Sequence, residues 1–286
     1  MEEKIICPIC NSDGTNFYCE KNGCKICRCQ SCGTAFVYPI PANPGDIYNK
    51  EYFKKETGSS FGYSDYDKDK EPMRNIFISY IKKIENLVED RNIFDIGAAT
   101  GYFLDLAKER GWRTAGTEIS DYAASVAGKR GHRISCGKFP EMKIEEKFGA
   151  ITMWDVLEHL DNPIEYLRAA NKILMKDGRL IVNTINRESL WARIFGKRWH
   201  SLVPPEHLFY YSPKGLKILL EEAGFEIEES GTSGKIFSLS YIFGILHHWQ
   251  KIKIWDGLSK FFDRSFWRKL SLPINLGDNI LIIAKK

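Results

Sequence analysis

One short segment constrains the fold of this 286-residue chain more than any other, the run Ile-Phe-Asp-Ile-Gly-Ala-Ala-Thr-Gly at residues 93–101. An apolar stretch ends at Asp95, a turn containing Gly97 and Gly101 follows, and an amphipathic stretch begins at Tyr102. This pattern predicts a buried strand, a tight loop and a helix N-terminus, the arrangement that holds a nucleotide-like cofactor. The two glycines are four residues apart, so the dinucleotide fingerprint G-x-G-x-x-G is not met.

Strand and helix patterns alternate over residues 91–229 and predict an α/β fold. The predicted strands are 92–96, 113–117, 132–135, 148–154, 178–184 and 225–231, and the predicted helices are 101–111, 120–130, 162–175 and 213–223. This alternation implies a Rossmann-like, mostly parallel sheet with helices on both faces. We expect an antiparallel last strand near residues 278–284, and a further helix over 73–89 that packs against the sheet.

Seven of the eight cysteines fall within residues 7–32. Two C-x2-C pairs, formed by Cys7 with Cys10 and by Cys29 with Cys32, have spacing that suits a tetrahedral structural zinc ion. Metal is favoured over disulfides because a large α/β body follows and the compartment is expected to be reducing. We therefore predict an N-terminal zinc ribbon. Cys24 and Cys27 form a competing C-x2-C pair for the second half of the site. Gly33 after Cys32 favours Cys29 and Cys32 as the second ligand pair.

The charge distribution argues against a nucleic-acid partner. Net charge is only +4, and residues 1–40 carry four Lys/Arg and four Asp/Glu, so the ribbon lacks a basic footprint. Residues 232–286 carry nine Lys/Arg against three Asp/Glu. This excess indicates either a solvated basic face or a site for an acidic substrate or an anionic surface. No secretory signal is visible and the longest mainly apolar stretch, 236–249, is too short to span a bilayer, so we expect a cytoplasmic protein.

These patterns divide the chain into three parts. Residues 1–38 form the zinc ribbon, 39–90 a linker and N-terminal helical lid, and 91–286 the α/β domain with insertions at 186–212 and 232–276. The linker is either a packed connection or a lid whose aromatic side chains reach the cofactor or the substrate. These aromatic residues are Tyr48, Tyr52, Phe53, Phe61, Tyr63 and Tyr66. The mostly helical insertion 232–276 either buries its aromatic residues against the core or forms a substrate channel or a peripheral membrane contact.

The segment D-x-G-x-x-x-G from Asp95 to Gly101, with Glu118 after the second strand, resembles motif I of the class I S-adenosylmethionine (SAM) methyltransferases. The resemblance covers about residues 91–230 and includes Trp-Asp-Val-Leu-Glu-His-Leu at 154–160. The chain looks like the small-molecule enzymes that include the ubiquinone-biosynthesis type. Its cysteine ribbon and Tyr-rich linker resemble those of the zinc-containing sugar methyltransferases, which are larger and end in an extra α/β domain.

With SAM as the cofactor, Asp95 suits the ammonium group, the N–H groups of the loop suit the carboxylate, and Glu118 can accept the ribose hydroxyls. The resemblance implies that residues after the third strand contact adenine, although the acidic residue common there is missing. It also places residues after the fourth strand beside the cofactor. The predicted cofactor-binding residues are Asp95, Gly97, Ala98, Gly101, Tyr102, Glu118, Ile119, Lys138, Phe139, Trp154, Asp155, Glu158 and, in the linker, Tyr63.

Methyl transfer to a hydroxyl or a carbon acid is helped by a general base. His207 is the first candidate because it lies in the insertion over the cleft, and the zinc-containing sugar enzymes use a Glu-His pair at a similar place. Glu206 can orient His207 or take the proton itself, His159 is the second candidate, and His200 is the third. A structural role is the alternative for each histidine.

The sequence thus predicts a SAM-dependent methyltransferase that acts on an oxygen or carbon of a small molecule, such as a sugar, a lipid-linked sugar or a secondary metabolite. The acceptor is expected to be anionic or lipid-linked. One alternative is an RNA or protein methyltransferase that grips its substrate with the ribbon. Against it, residues 154–157 read Trp-Asp-Val-Leu where amino-group methylases of nucleic acids often carry (Asn/Asp)-Pro-Pro-(Tyr/Phe). The other alternative is a SAM-binding protein without activity.

Overall fold

The computed structural model describes residues 4–41, 66–239, 243, 247, 252–263 and 271–286. The described strands are β1 (Thr15–Lys21), β2 (Cys24–Cys29), β3 (Ala35–Val37), β4 (Asn92–Ile96), β5 (Arg113–Glu118), β6 (Arg133–Cys136), β7 (Phe148–Trp154), β8 (Leu174–Ile185), β9 (Phe209–Tyr210), β10 (Glu226–Ser238) and β11 (Ser271–Lys285). The described α-helices are α1 (Tyr66–Lys70), α2 (Arg74–Glu85), α3 (Tyr102–Glu109), α4 (Asp121–Lys129), α5 (Pro163–Ile173), α6 (Leu190–Phe195), α7 (Pro213–Glu222) and α8 (Lys253–Phe262).

Seven strands form the central sheet in the order β10-β11-β8-β7-β4-β5-β6. Neighbours from β8 to β6 pair in parallel, whereas β11 pairs antiparallel with both β8 and β10. The Rossmann-like sheet with an antiparallel last strand is therefore confirmed. Because parallel strands meet at one carboxyl edge, the loops after β4, β5, β7 and β8 converge on a single side of the domain.

Helices cover both faces of the sheet, and this explains why every residue of β4 is buried. On one face, Phe77, Ile81 and Ile84 of α2 pack with apolar residues of α3. On the other face, apolar residues of α5 and α7 pack against β7 and β8 in a cluster that also contains Cys7, Ile9 and Phe36 of the N-terminal module. The predicted helix over 73–89 thus packs as expected, and the N-terminal module shares a core with the domain.

A second sheet, ordered β1-β2-β3-β9, joins the N-terminal module to the insertion at 186–212. Strand β9 belongs to that insertion, and it pairs antiparallel with β3 through Ala35 with Tyr210 and Phe36 with Phe209. The insertion was predicted only as a segment over the cleft. Its contribution of a strand to the N-terminal sheet was not predicted, because a two-residue strand has no sequence pattern that indicates which strand it pairs with.

The hairpin of β10 and β11 is longer than its predicted strands, since β10 continues to Ser238 and β11 begins at Ser271. The two strands pair as far as Ser238 with Ser271, so their backbone groups are hydrogen-bonded within a region that was predicted as part of the 232–276 insertion. Helix α8 lies within that insertion. The predicted lid residues Tyr48, Tyr52, Phe53, Phe61 and Tyr63 lie outside the described residues, as do Tyr241, Trp249, Phe266 and Trp267 of the insertion. Among the described helices, none has the length and apolarity needed to cross a bilayer.

Candidate functional site

The loop between β4 and α3 requires glycine at two positions. Gly97 and Gly101 have φ values of +76° and +87°, in the left-handed region that favours glycine. A Cβ on Gly97 would lie 2.6 Å from Cγ2 of Val156. The loop after β7 therefore packs directly on the loop after β4, and this contact excludes any side chain at position 97.

Backbone donors of this loop bind within the protein. The N–H groups of Gly97 and Ala98 both donate to the carbonyl of Thr117 at 2.9 Å, and that of Gly101 donates to Ala98 at 2.9 Å. The N–H of Ala99 donates to Oε2 of Glu118 at 2.8 Å. The predicted use of loop N–H groups for a cofactor carboxylate therefore has to involve other donors near the loop or a rearrangement of these bonds.

Glu118 ends β5 and is held by two backbone groups. Besides Ala99, the N–H of Ser120 donates to Oε1 of Glu118 at 2.9 Å. The side chain is buried, and burial raises the pKa of the carboxyl group although these N–H donors oppose the shift. Each carboxylate oxygen accepts one N–H and retains a lone pair, which is what two ligand hydroxyls require. The neighbouring Ile119 is exposed.

Asp95 is the penultimate residue of β4, beside the loop, and is 3% exposed. The hydroxyl of Thr152 donates to its Oδ1 at 2.6 Å. Burial raises the pKa of Asp95 to about 8, against the effect of the Thr152 hydrogen bond. A buried carboxyl group of this kind becomes charged readily only when a cation approaches it.

Several predicted residues surround one cavity. Trp154 packs against Phe77, Tyr80 and Phe103, with ring centroids 5.2, 5.4 and 5.0 Å away. Its indole N–H is buried and has no acceptor among the described residues. The cavity is lined by Tyr66, Lys70, Phe77, Asp95, Gly97, Ala98, Tyr102, Phe103 and Trp154. The structure thus brings Asp95, Gly97, Ala98, Tyr102 and Trp154 together.

Asp155 follows Trp154 at the carboxyl edge of the sheet, with a φ of +53°. Its Oδ1 accepts hydrogen bonds from the side-chain amides of Asn183 at 2.7 Å and Asn279 at 2.9 Å. Its Oδ2 lies 3.7 Å from Nζ of Lys70 in α1. The hydroxyl of Ser233 donates to Oδ1 of Asn183 at 2.6 Å, which fixes the orientation of that amide. Asp155 is therefore a rigidly held carboxylate facing a cation.

Helix α1 is attached to the loop by polar contacts. The hydroxyl of Thr100 donates to Asp67 at 2.6 Å, and Arg130 pairs with the same carboxylate. The hydroxyl of Tyr102 donates to Glu71 at 2.7 Å. Sequence reasoning placed a lid in this region on its tyrosines and missed Asp67 and Lys70, because a charged residue in a linker carries no pattern that distinguishes it from a solvated one.

The segment after β6 is less clearly part of the cavity. Lys138 forms an ion pair with Asp161 at 3.2 Å. The ring of Phe139 is 3% exposed and packs against Phe94 and Tyr166, with centroids 5.6 and 6.2 Å away. The side chain of Phe139 therefore belongs to the core. Contact of this segment with adenine stays a prediction, and the backbone of the segment would have to make that contact.

Two histidines from the segments after β7 and β8 lie in contact with each other. His159 lies in the 3-10 turn Leu157–His159, and its ring is 4.7 Å from that of His207. Nδ1 of His159 is 2.8 Å from the carbonyl of Glu206, and Nδ1 of His207 is 2.7 Å from the carbonyl of Ser201. A carbonyl can only accept, so both Nδ1 atoms carry a proton, and a ring with one proton then has its basic lone pair at Nε2.

The other predicted site residues near this pair have different surroundings. Glu158 is 1% exposed and its Oε2 accepts the hydroxyl of Thr184 at 2.7 Å. Burial raises the pKa of Glu158, and the nearby Asp155 acts in the same direction. Glu206 contributes its backbone carbonyl to His159, as described above. His200 lies 3.7 Å from the carboxylate of Asp278.

Four thiols converge in the N-terminal module. The Sγ atoms of Cys7 and Cys32 are 3.7 Å apart, those of Cys10 and Cys29 are 3.6 Å apart, and all four lie within 4.8 Å of one another. A tetrahedral zinc ion with Zn–S bonds of about 2.3 Å has sulfur–sulfur edges of about 3.8 Å, so the spacing fits this ion. The hydrogen bond from the Cys7 thiol lowers the pKa of Cys32. The close set contains the Cys29 and Cys32 pair rather than Cys24 and Cys27.

The parallel sheet, the glycine loop and the acidic ends of β4 and β5 define an α/β protein that binds a nucleotide-like cofactor at its carboxyl edge. Comparison with known proteins then identifies the family. A family model described as "Methyltransferase domain" matches residues 70–230, and the chain belongs to that family. It is a SAM-dependent methyltransferase.

Curated relatives share about a quarter of the aligned residues. An uncharacterized protein of Methanocaldococcus jannaschii is 26% identical over 163 residues, which cover 57% of this chain and 78% of the relative. The ubiquinone biosynthesis O-methyltransferase of Hydrogenovibrio crunogenus is 25% identical over 173 residues, which cover 55% of this chain and 70% of the relative. The same enzyme of Pasteurella multocida is 24% identical, with 62% of its length covered.

Solved structures share the fold at lower identity. A SAM-dependent methyltransferase from Thermotoga maritima has a TM-score of 0.50 at 22% identity and covers 77% of this chain and 94% of its own. The magnesium protoporphyrin IX methyltransferase from Synechocystis, with bound SAH, has a TM-score of 0.51 at 12% identity and covers 80% and 90%. These likenesses confirm the methyltransferase fold.

Proposed function

We propose that the chain transfers a methyl group from SAM to an oxygen or carbon of a small molecule, with His207 as the general base. The observation that carries this proposal is the contact of each Nδ1 atom of the histidine pair with a backbone carbonyl. Because Nδ1 of His207 is bonded to the Ser201 carbonyl, Nε2 is the nitrogen that can take a proton from the acceptor. His159 presents the same tautomer beside it and is the second candidate.

Bound SAM supplies an electrophilic methyl group on a sulfonium, and the residues of the cavity fit such a ligand. Asp95 suits the ammonium group, since a buried carboxyl group is stabilised as an anion by an adjacent cation. The unpartnered indole N–H of Trp154 is a donor for a ligand oxygen. Lys70 is proposed to bind the carboxylate of SAM in place of the nearby loop N–H groups, because those groups already have acceptors. Glu118 is proposed to accept the ribose hydroxyls.

The chain's own residues then have three tasks. They hold the acceptor in line with the carbon–sulfur bond, which supplies much of the rate because the reaction is a displacement at the methyl carbon. They take up the acceptor proton at Nε2 of His207. They also exclude water, a task proposed for α1 and for the linker that precedes it. The predicted contact of Tyr63 with the cofactor belongs to that linker and stays a proposal.

We also propose that Cys7, Cys10, Cys29 and Cys32 hold one structural zinc ion, as their spacing supports. The domain limits at residues 38 and 90 and the cytoplasmic location remain predictions. An RNA- or protein-binding role for the ribbon is not favoured, since the β3 edge of its sheet is already paired with β9 of the same chain. The sugar or lipid nature of the acceptor is proposed from the sequence resemblance alone.

The direct test supplies radiolabelled SAM and a fractionated cell extract, with each fraction pretreated by nuclease, protease or organic extraction. We expect a labelled product of low molecular mass that survives nuclease and protease. A product destroyed by nuclease would replace the proposal with RNA methylation, and one destroyed by protease would replace it with protein methylation. Absence of any labelled product, with SAM binding demonstrated by calorimetry, would contradict catalysis.

A further inference from the structure

The segment 206–212, named here the strap, lies between the N-terminal module and the turn that carries His159. It contains Glu206, His207, β9 and Ser212, and Tyr210 and Tyr211 within it are fully buried. A segment this buried has to satisfy its backbone groups within the protein. Its hydrogen bonds run in two directions, toward the N-terminal module on one side and toward the turn Leu157–His159 on the other.

On the first side, the N-terminal module holds the strap through backbone pairing and through Ser212. The N–H of Val37 donates to the carbonyl of Leu208 at 2.9 Å, next to the β3 and β9 pairing. The hydroxyl of Ser212 donates to the carbonyl of Cys32. Cys32 belongs to the four-thiol cluster, so the strap is hydrogen-bonded directly to a residue that would bind the metal ion.

Helix α7, which follows the strap, fits against the module with no spare room. A Cβ on Gly215 would lie 2.0 Å from Oγ1 of Thr34, far inside any real contact. The N–H of Gly215 donates to Oγ of Ser212 at 2.9 Å, so the helix start and the strap move together. Any added volume at position 215 must therefore displace the module, the strap or both.

On the second side, the strap is bonded to the turn that carries His159. The N–H of Leu208 donates to the carbonyl of Glu158 at 2.8 Å, and the hydroxyl of Tyr211 donates to the carbonyl of Leu157 at 3.0 Å. Nδ1 of His159 donates to the carbonyl of Glu206. These three bonds fix both histidine rings relative to each other, because each ring uses a strap carbonyl or lies on the strap itself.

We propose that the N-terminal module is a positioning element of the catalytic site. Through β3 and Cys32 it holds the strap, and through the strap it fixes the orientation of the His207 and His159 rings and the tautomer of His159, whose acceptor is the strap carbonyl of Glu206. This inference rests on the proposed role of the histidine pair. A displacement of about 1 Å at a catalytic group can lower turnover by about 10²-fold, so a module distant in sequence can set the rate without touching the cofactor.

The first test uses Gly215→Ala, alone and combined with Thr34→Ala, which removes the hydroxyl that the new Cβ would strike. Gly128→Ala is the matched control, because that helical position is open for 4 Å around a Cβ. The readouts are the calorimetric Kd for SAM alone, 15N NMR of the histidine rings, amide hydrogen exchange of Leu208, and transfer from labelled SAM to the active extract fraction.

For Gly215→Ala we expect at least tenfold faster exchange at Leu208, loss of the uniform Nδ1–H tautomer, at least tenfold slower transfer and an unchanged Kd for SAM. The double variant should recover most of each change, and the control should match the native protein. Native tautomers and native transfer in a folded Gly215→Ala would overturn the inference, as would a double variant that recovers folding without recovering the tautomers.

The second test keeps the inference decidable if Gly215→Ala does not fold. Tyr211→Phe removes only the hydroxyl bonded to Leu157. Its control is Tyr166→Phe, which changes a tyrosine of α5 in the same apolar cluster. We expect about tenfold slower transfer and an altered histidine signal in Tyr211→Phe alone. A native histidine signal in Tyr211→Phe would contradict the inference. Failure of the proposed base would look different: His207→Ala would be fully active, while Gly215→Ala would still alter the tautomer of His159.

Discussion

His159 and His207 meet edge to face with ring centroids 4.7 Å apart, and each ring donates its Nδ1–H to a backbone carbonyl. Side-chain acceptors can rotate away, whereas the Glu206 carbonyl belongs to the strap and the Ser201 carbonyl to the backbone just before it. The pair therefore presents two basic nitrogens from a rigid frame at the carboxyl edge of the sheet. A rigid frame of this kind suits proton transfer, since its geometry does not have to be reorganised during the reaction.

The first prediction concerns the base itself. In His207→Ala we expect turnover to fall by about 10²-fold or more, because a positioned general base contributes about that much to methyl transfer to a weakly acidic group. The Kd for SAM should be unchanged, since Nε2 of His207 is proposed to face the acceptor. His159→Ala should lose less activity than His207→Ala. The measurement is label transfer at saturating SAM, and native turnover in His207→Ala would eliminate the base assignment.

The second prediction follows from the raised pKa of Asp95. Its carboxyl group holds a proton up to about pH 8 in the folded chain, whereas an unfolded chain loses it near pH 4. Between these values the folded state binds more protons than the unfolded state, so the free energy of unfolding decreases as pH rises. The contribution of Asp95 is fully present below about pH 4 and is lost as pH passes 8. Glu118, also raised by burial, acts in the same direction.

Urea unfolding of the cofactor-free protein between pH 5 and about 8.5 measures this dependence. Asp95→Asn carries no titrating group there, so its stability should fall less steeply with pH, with a difference of roughly a few kcal/mol over the range. Asp177→Asn, at an exposed position, should follow the native profile. Equal slopes in Asp95→Asn and the native protein would show that Asp95 is already ionised in the folded state.

The extent to which sequence predicted this molecule differs between its parts. The strands around the glycine loop were predictable because the burial and turn geometry of the segment from Asp95 to Gly101 follow from local residue types. The strap was not, because its partners, β3 on one side and Leu157–His159 on the other, are distant in the chain. Lys70 and Asn279 were missed for the same reason: their meeting at Asp155 depends on packing of α1 and β11 that no local pattern records.

The third prediction separates the two possible cysteine sets. The purified protein should carry about one equivalent of zinc, and Cys29→Ser should lose it because one of four converging thiols is removed. Cys24→Ser is the matched control, since Cys24 lies in the same sheet and outside that cluster, and it should retain the metal. Zinc is measured by atomic emission after dialysis. The opposite pattern, with zinc lost only in Cys24→Ser, would assign the site to the competing pair.

The last prediction separates steric contact from backbone strain at the cofactor loop. Gly97→Ala places a methyl group 2.6 Å from Val156 at a φ of +76°, whereas Gly111→Ala meets nothing within 4 Å at a φ of +86°. Both variants should lose about 1 kcal/mol of stability from the left-handed backbone. Gly97→Ala alone should also displace the loop, and we expect at least tenfold weaker SAM binding by calorimetry. In Gly97→Ala with Val156→Ala, most of the affinity should return, because the second change removes the atoms that the new Cβ strikes. If Gly97→Ala binds SAM as tightly as Gly111→Ala does, the close packing of the β4 and β7 loops is not what shapes the cofactor site.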